Sequence, residues 1–408
     1  MRLELFERHV KHGELTLVDV TGARHRFGSG TPKVTWVMRH PDTLGRILTN
    51  PALELGETYM DEAWDVADGT LTDLVTLLRT NMSDLAQRRT ALSEFAALVQ
   101  TWNALKASFA NVHHHYDLDE ELFRAFLDRD MHYSCAYFRD RDMSLESAQL
   151  AKCNHIARKL LLEPGHEILD IGCGWGSLAL HLAETVGVSV VGLTLSSEQL
   201  RVARAEAARR GLSDRVEFRL QDYRAHHGQY DRIVSVGMFE HVGRRNFRRY
   251  FEQLKQQLRP RGVALLHTIG STRPPNSTNA WFRRHIFPGG HIPSLSTMSA
   301  AIEHTGLKMG DLEILRPHYA LTLKEWNRRF QIQRAHFAAK KGERFCRMWE
   351  FYLVTSQTAF EHGDLVVFQA QLGGSDAPIP PTRDYLYPDV EYDLASAFEQ
   401  TSTLRGQQ

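Results

Sequence analysis

Cysteine is scarce in this 408-residue chain. Its four, Cys135, Cys153, Cys173 and Cys346, include no Cys-x-x-Cys pair and no spacing typical of zinc ligands. A disulfide framework and a structural zinc site are thereby excluded, and a reducing cytoplasm is the expected compartment. An excess of charge of one sign is also missing: Lys plus Arg and Asp plus Glu both number 49, so no nucleic-acid partner is expected. Long hydrophobic runs are absent too. No stretch of about 18 apolar residues could cross a bilayer. The segment Met1 to Gly13 carries Arg2, Glu4, Glu7, Arg8 and Lys11 where a signal peptide has its apolar core. The expectation is a protein neither secreted nor integral to a membrane, though free to dock on one.

What is present is ample apolar material, 42% of the residues, enough for two or three units at about 150 residues each. Residues 1–110 read as a small α+β domain. Strands are expected at Leu15 to Val18 and Lys33 to Met38, and helices at Asp61 to Leu78 and Asp84 to Phe109. The run His113-His114-His115-Tyr116-Asp117 invites a metal, but adjacent histidines on a regular element cannot all face one ion. A capped helix start is the better reading, and no metal site is assigned.

From residue 150 on, apolar strands alternate with helices: Glu167 to Ile171, Ser189 to Leu193, Arg215 to Leu220, Arg232 to Val236 and Val263 to Thr268. Alternation of that kind predicts an α/β fold with a mostly parallel, doubly wound sheet whose ligands lie beyond the carboxyl ends of the strands. Residues 111–373 are assigned to this catalytic domain, and residues 374–408, rich in Pro, Gly and Asp at their start, to an extended tail.

The strongest motif is LDIGCGWG, Leu169 to Gly176, a glycine-rich turn after an apolar strand and before an amphipathic helix from Ser177 to Glu184. Glycines serve where backbone must turn tightly and approach a ligand. Its G-x-G-x-G spacing, with Asp170 ahead of Gly172, Gly174 and Gly176, departs from the dinucleotide pattern. It resembles the first motif of Rossmann-like class I methyltransferases, where the turn receives the amino acid end of S-adenosylmethionine. In GLTLSSEQ, Thr194 stands where most of that class place an acidic residue for the ribose, so Thr194 and Gln199 would do that work beside Leu195, and Asp222 with Tyr223 could grip adenine.

At this point the chain resembles the cyclopropane-fatty-acyl-phospholipid synthases and the related mycolic acid cyclopropane synthases. The blocks run from ELGETYMDEAW at Glu54 through HYDL at His115, MHYSCAYF at Met131, SVGMFEHVG at Ser235, LLHTIG at Leu265, IFPGGHIPS at Ile286, PHYALTL at Pro317 and RMWEFYL at Arg347. The resemblance implies that a cis double bond of an unsaturated phospholipid acyl chain attacks the sulfonium methyl of S-adenosylmethionine. The base implied is a bound bicarbonate held by Cys135, Glu240, His267, Ile269 and Tyr319, with Cys135 and Ile269 offering backbone groups. Tyr133 and Ser134 are implied to fold over the cofactor. One departure is Ser356, where many relatives carry cysteine, so no thiol nucleophile is expected.

A methyl-branched or methylene product from the same carbocation is the alternative outcome. A small-molecule N- or O-methyltransferase and a non-catalytic lipid carrier fit the blocks less well. Arg244, Arg245, Arg248 and Arg249, with Trp281, Phe282, Arg283 and Arg284, could meet lipid phosphates while the rings enter the interface, or could form a solvated basic helix face. The expected setting is therefore peripheral contact with the inner face of the membrane. The N-terminal domain is left to lipid binding or to homodimer formation.

Overall fold

The computed structural model describes residues 3–87, 120–275 and 279–387. Helix α1 (Glu4–His9) leads to β1 (Gly13–Val18), β2 (Arg24–Ser29) and β3 (Lys33–Met38). Leu15 and Leu17 of β1 are buried between half-buried neighbours, the period-two pattern of a strand with one face on a core. Next come α2 (Thr43–Thr49), α3 (Pro51–Met60), β4 (Trp64–Asp68) and α4 (Leu71–Gln87). The four strands form a sheet in the order β2-β1-β3-β4. The helix expected over Asp61 to Leu78 is corrected: Trp64–Asp68 pairs antiparallel with β3, and helix begins only at Leu71. Trp64 is fully buried, edge-on to Trp36 at 5.5 Å, and this packing overrides the local helical pattern. Of the helix expected over Asp84 to Phe109, residues 84–87 end α4; the remainder and the histidine run lie outside the described residues.

The second unit starts with α5 (Glu120–Phe126) and α6 (Leu145–Lys159), followed by β5 (Glu167–Ile171), α7 (Ser177–Val186), β6 (Ser189–Thr194), α8 (Ser197–Arg209), β7 (Val216–Leu220) and β8 (Tyr230–Val236). It continues through α9 (Phe247–Gln257), β9 (Leu258–Ser271), α10 (Ala280–His285), α11 (Leu295–Glu303), β10 (Lys308–Leu315), the long pair α12 (Pro317–Lys341) and α13 (Glu343–Glu361), and β11 (Leu365–Gly373). The sheet order is β10-β11-β9-β8-β5-β6-β7. Each of the five strands expected in the catalytic region is present. β11, antiparallel to both neighbours, completes a mixed but mostly parallel sheet. The order reverses at β5, which pairs with β6 on one side and β8 on the other. That reversal opens a crevice at their carboxyl ends, where ligands of such sheets bind.

The two units share one apolar core. Phe6, Trp36 and Trp64 from the N-terminal sheet belong to the same buried cluster as Trp326 and Trp349 from α12 and α13. Arg347 of α13 ties them further: its guanidinium donates to the carbonyls of Tyr59 (2.6 Å) and Trp64 (3.0 Å) and lies 3.9 Å over the Tyr59 ring, combining hydrogen bonding with cation–π attraction. Residues 374–387, expected as part of an extended tail, pack on the sheet edge: Leu386 is buried, its carbonyl accepts from Arg158, and Arg383 pairs with Asp311 of β10.

Candidate active site

The turn after β5 is shaped by backbone that needs glycine. Gly172 has φ 84° and a Cβ there would sit 2.8 Å from Met238, while Gly174 at φ 55° faces open space. Both line a pocket at the crevice, as do Asp170, Thr194, Leu195, Gln199, Asp222, Tyr223, Tyr133 and Ser134. Gly176 differs from its expected role. It does not line the pocket; at φ 85° it caps α7, and a Cβ would meet Phe218 at 2.6 Å, so it serves helix-to-sheet packing.

Each wall of this pocket has a definite electrostatic character. Burial pushes the Asp170 carboxyl up to about 7, and its Oδ2 has no hydrogen-bond partner among the described residues; a cationic amine is a ligand that would suit it. Thr194 Oγ1 donates to Gln199 Oε1 at 2.9 Å, which fixes both where an acidic residue is usual. Burial would raise the Asp222 carboxyl, but hydrogen bonds from Arg224 hold it below the usual carboxylate range. Lys152, unforeseen from sequence, is 1% exposed and lines the same pocket, donating to Ser134 Oγ (2.8 Å) and Gln149 Oε1 (2.6 Å). Burial lowers its basicity, and a ligand carboxylate is the counter-ion that would restore it. An amine-and-carboxylate ligand with an adenosine end fits these residues.

A second cavity, of about 1180 Å³, runs between the two units. Its walls are largely apolar, including Leu55 and Val75 from the N-terminal unit and Phe282, Leu323 and Phe351 from the second. Cys135, Glu240, His267, Ile269 and Tyr319 all line it. Tyr133, Ser134, Gly237 and His241 line both cavities and mark where the two meet; sequence reading had passed over Gly237 and His241.

In that cavity, Glu240 follows β8 in a short 3-10 turn and accepts from the Ile269 amide at 2.6 Å; its Oε2 has no partner among the described residues. The Ile269 N–H is therefore engaged by Glu240. Burial pushes the Glu240 carboxyl up to about 7 and the His267 imidazole down to about 3, so His267 is neutral at ordinary pH. His267 Nδ1 lies 3.0 Å from Gln369 Nε2. Cys135 Sγ donates to the Ala136 carbonyl at 3.3 Å, and burial raises its thiol, which makes it a poor nucleophile. Tyr319 packs against Phe360 and Trp326. Ser356 lines the apolar cavity.

Of the aromatic residues expected at a lipid interface, Trp281 is corrected. It is 1% exposed, packed on Phe351 and Gly56, and no interfacial role is open to it. Arg284 pairs with Glu57 at 3.1 Å. Arg244, Arg245, Arg248 and Arg249 are exposed.

The geometry can be set beside known proteins. Residues 103–370 match the family model described as mycolic acid cyclopropane synthetase. Cyclopropane-fatty-acyl-phospholipid synthase of Escherichia coli (strain K12) is 39% identical over 334 residues, covering 81% of this chain and 86% of that protein. Tuberculostearic acid methyltransferase UfaA1 of Mycobacterium tuberculosis is 37% identical over 389 residues, covering 90% and 89%. Among solved structures, mycolic acid cyclopropane synthase CmaA1 complexed with SAH and CTAB superimposes with a TM-score of 0.61 at 35% identity, covering 65% of this chain and 97% of that one. The match to the family model spans well over half of the sequence, and the chain belongs to the mycolic acid cyclopropane synthetase family.

Proposed function

We propose that this enzyme transfers the methyl carbon of S-adenosylmethionine to the cis double bond of an unsaturated phospholipid acyl chain and closes a cyclopropane ring. The meeting of the two cavities at Tyr133, Ser134, Gly237 and His241 carries this reading. It lets a donor held at the glycine turn face an alkene lying in the apolar cavity. S-adenosylmethionine supplies an electrophilic methyl, for which Asp170 and Lys152 would hold the amino acid end and Gln199, Asp222 and Tyr223 the adenosine. The apolar walls orient the chain and exclude water, so that the weak alkene nucleophile does not compete with it.

Ring closure releases one proton, and bicarbonate is a suitable acceptor. Glu240, His267, Tyr319 and Cys135 would hold it. Glu240 suits an anion because burial favours its protonated form near neutrality, which can donate where a carboxylate would repel. Neutral His267 can offer one N–H to the same anion. With its amide on Glu240, Ile269 acts by positioning that carboxyl.

The similarity to a tuberculostearic acid methyltransferase supports a second product, a methyl-branched chain that keeps a double bond, in which a proton is lost from a chain carbon instead. The enzyme is placed in the cytoplasm at the inner face of the membrane, where its substrate lies. The exposed arginines 244, 245, 248 and 249 support docking on anionic lipid, and a homodimer is compatible with this arrangement. The test is mass spectrometry of lipids from cells expressing the protein and fed methyl-labelled methionine, with Glu240→Gln as control. A labelled CH₂ gain that resists hydrogenation and falls in the control supports ring formation. A labelled methyl-branched chain that keeps a double bond and takes up hydrogen supports the second product, and unlabelled lipid overturns both.

A further inference from the structure

Arg79 on α4 lines the apolar cavity, yet no catalytic role falls to it. Its Nε is buried without a partner among the described residues, and its hydrogen bond to the Thr355 carbonyl is long at 3.4 Å. That carbonyl already accepts from Thr358 Oγ1 at 3.1 Å. Burial lowers the Arg79 basicity and outweighs the opposing effect of Asp364. Asp364 is itself held by Arg273 at 2.6 Å. A guanidinium so poorly served on an apolar wall is costly, which points to an anionic partner that comes with a ligand.

The location narrows the ligand. Arg273, Pro274 and His362 line the same cavity and are exposed, so the cavity reaches the surface beside Asp364 and Arg79. An acyl chain lying along the apolar walls would leave its polar end at that mouth. We propose that Arg79, assisted by Arg273, receives the phosphodiester of the phospholipid substrate while the chain reaches toward Glu240 and His267. Guanidinium forks match phosphate oxygens. The proposal rests on the lipid reading given above and adds to it the site that selects phospholipid over uncharged lipid.

The test uses the full-length protein and neutral-detergent micelles carrying dioleoylphosphatidylethanolamine, dioleoylglycerol or oleate, with Arg79→Gln and Arg79→Lys. Binding is read by tryptophan fluorescence and turnover by methyl transfer, and S-adenosylmethionine affinity by calorimetry reports whether each variant is folded. The wild type is expected to bind the phospholipid roughly 10- to 100-fold more tightly than dioleoylglycerol, the span of a charge-assisted hydrogen bond. Arg79→Gln should bring that ratio near one through KM, with Arg79→Lys restoring part of it. An equal loss on both lipids, or no change on either, overturns the proposal. A preference for oleate over phospholipid, lost in Arg79→Gln, overturns the phosphodiester in favour of a carboxylate. If the wild type binds phospholipid but transfers no methyl to any lipid, the functional reading fails while the binding ratio still decides the role of Arg79.

Discussion

Gln369 and His267 stand opposite each other in the antiparallel pair of β11 and β9, with the amide Nε2 of Gln369 3.0 Å from His267 Nδ1. When that amide donates, the imidazole proton is fixed on Nε2, and neutral His267 presents a donor to the cavity. Gln369→Leu removes this orientation. Turnover is expected to fall roughly 10- to 100-fold, as when a group orienting a functional histidine is lost. Affinity for S-adenosylmethionine should hold, and a change in the ¹⁵N shifts of His267 would reveal a lost tautomer preference. Unaltered shifts with unaltered turnover would contradict it.

Glu240 makes stability depend on pH. Its carboxyl, ordinarily near 4.5, is raised to about 7 by burial. The stabilising contribution of the protonated form is therefore complete below 4.5 and is lost as pH rises through 7. A shift of that size is worth about 3 kcal/mol at most. Calorimetric melting at pH 5 and pH 8 should show a larger drop in wild type than in Glu240→Gln, which has no proton to lose. Equal drops would remove Glu240 as the cause.

Asp170 gives a matching signature in cofactor binding. A carboxyl at about 7 without a partner at Oδ2 ionises when a cationic amine arrives, so binding near pH 6 releases a proton. Calorimetry in buffers of different ionisation enthalpy should record that release, and affinity should rise with pH up to about 7. Asp170→Asn should abolish both effects and weaken binding by roughly 10-fold or more.

Gly56 in α3 is a point of close approach between the units. A Cβ there would lie 2.4 Å from Trp281 Nε1 and 2.8 Å from Phe351. Gly56→Ala is expected to destabilise the protein by about 1–3 kcal/mol through overpacking, read as a lower denaturant midpoint. An unchanged midpoint would mean that the Trp281 ring can move aside.

The cofactor side of the site was legible because it is local. The strand, the turn with Asp170, Gly172 and Gly174, and the helix lie within one short stretch, and backbone needs for glycine read directly from sequence. Glu240, His267 and Tyr319 were found through resemblance of whole blocks; nothing in their spacing shows that they line one cavity. Gln369 was not visible, since it sits 102 residues from its partner and only the pairing of β11 joins them. Lys152 looked like an ordinary lysine on an amphipathic helix until packing buried it. Trp281 misled for a related reason: an aromatic residue beside arginines resembles a membrane anchor unless the cavity left by Gly56 is known.

The place of β11 in the sheet also sets an order on the birth of the molecule. Strands β5 to β8 and the glycine turn are synthesised early in the catalytic region, whereas β11 follows the two long helices α12 and α13 and then inserts between β9 and β10. Until it does, β9 offers the nascent chain a bare edge, open to mispairing. A growing polypeptide can thus assemble most of a cofactor crevice well before His267 acquires its neighbour, and chemistry becomes available only to the finished chain.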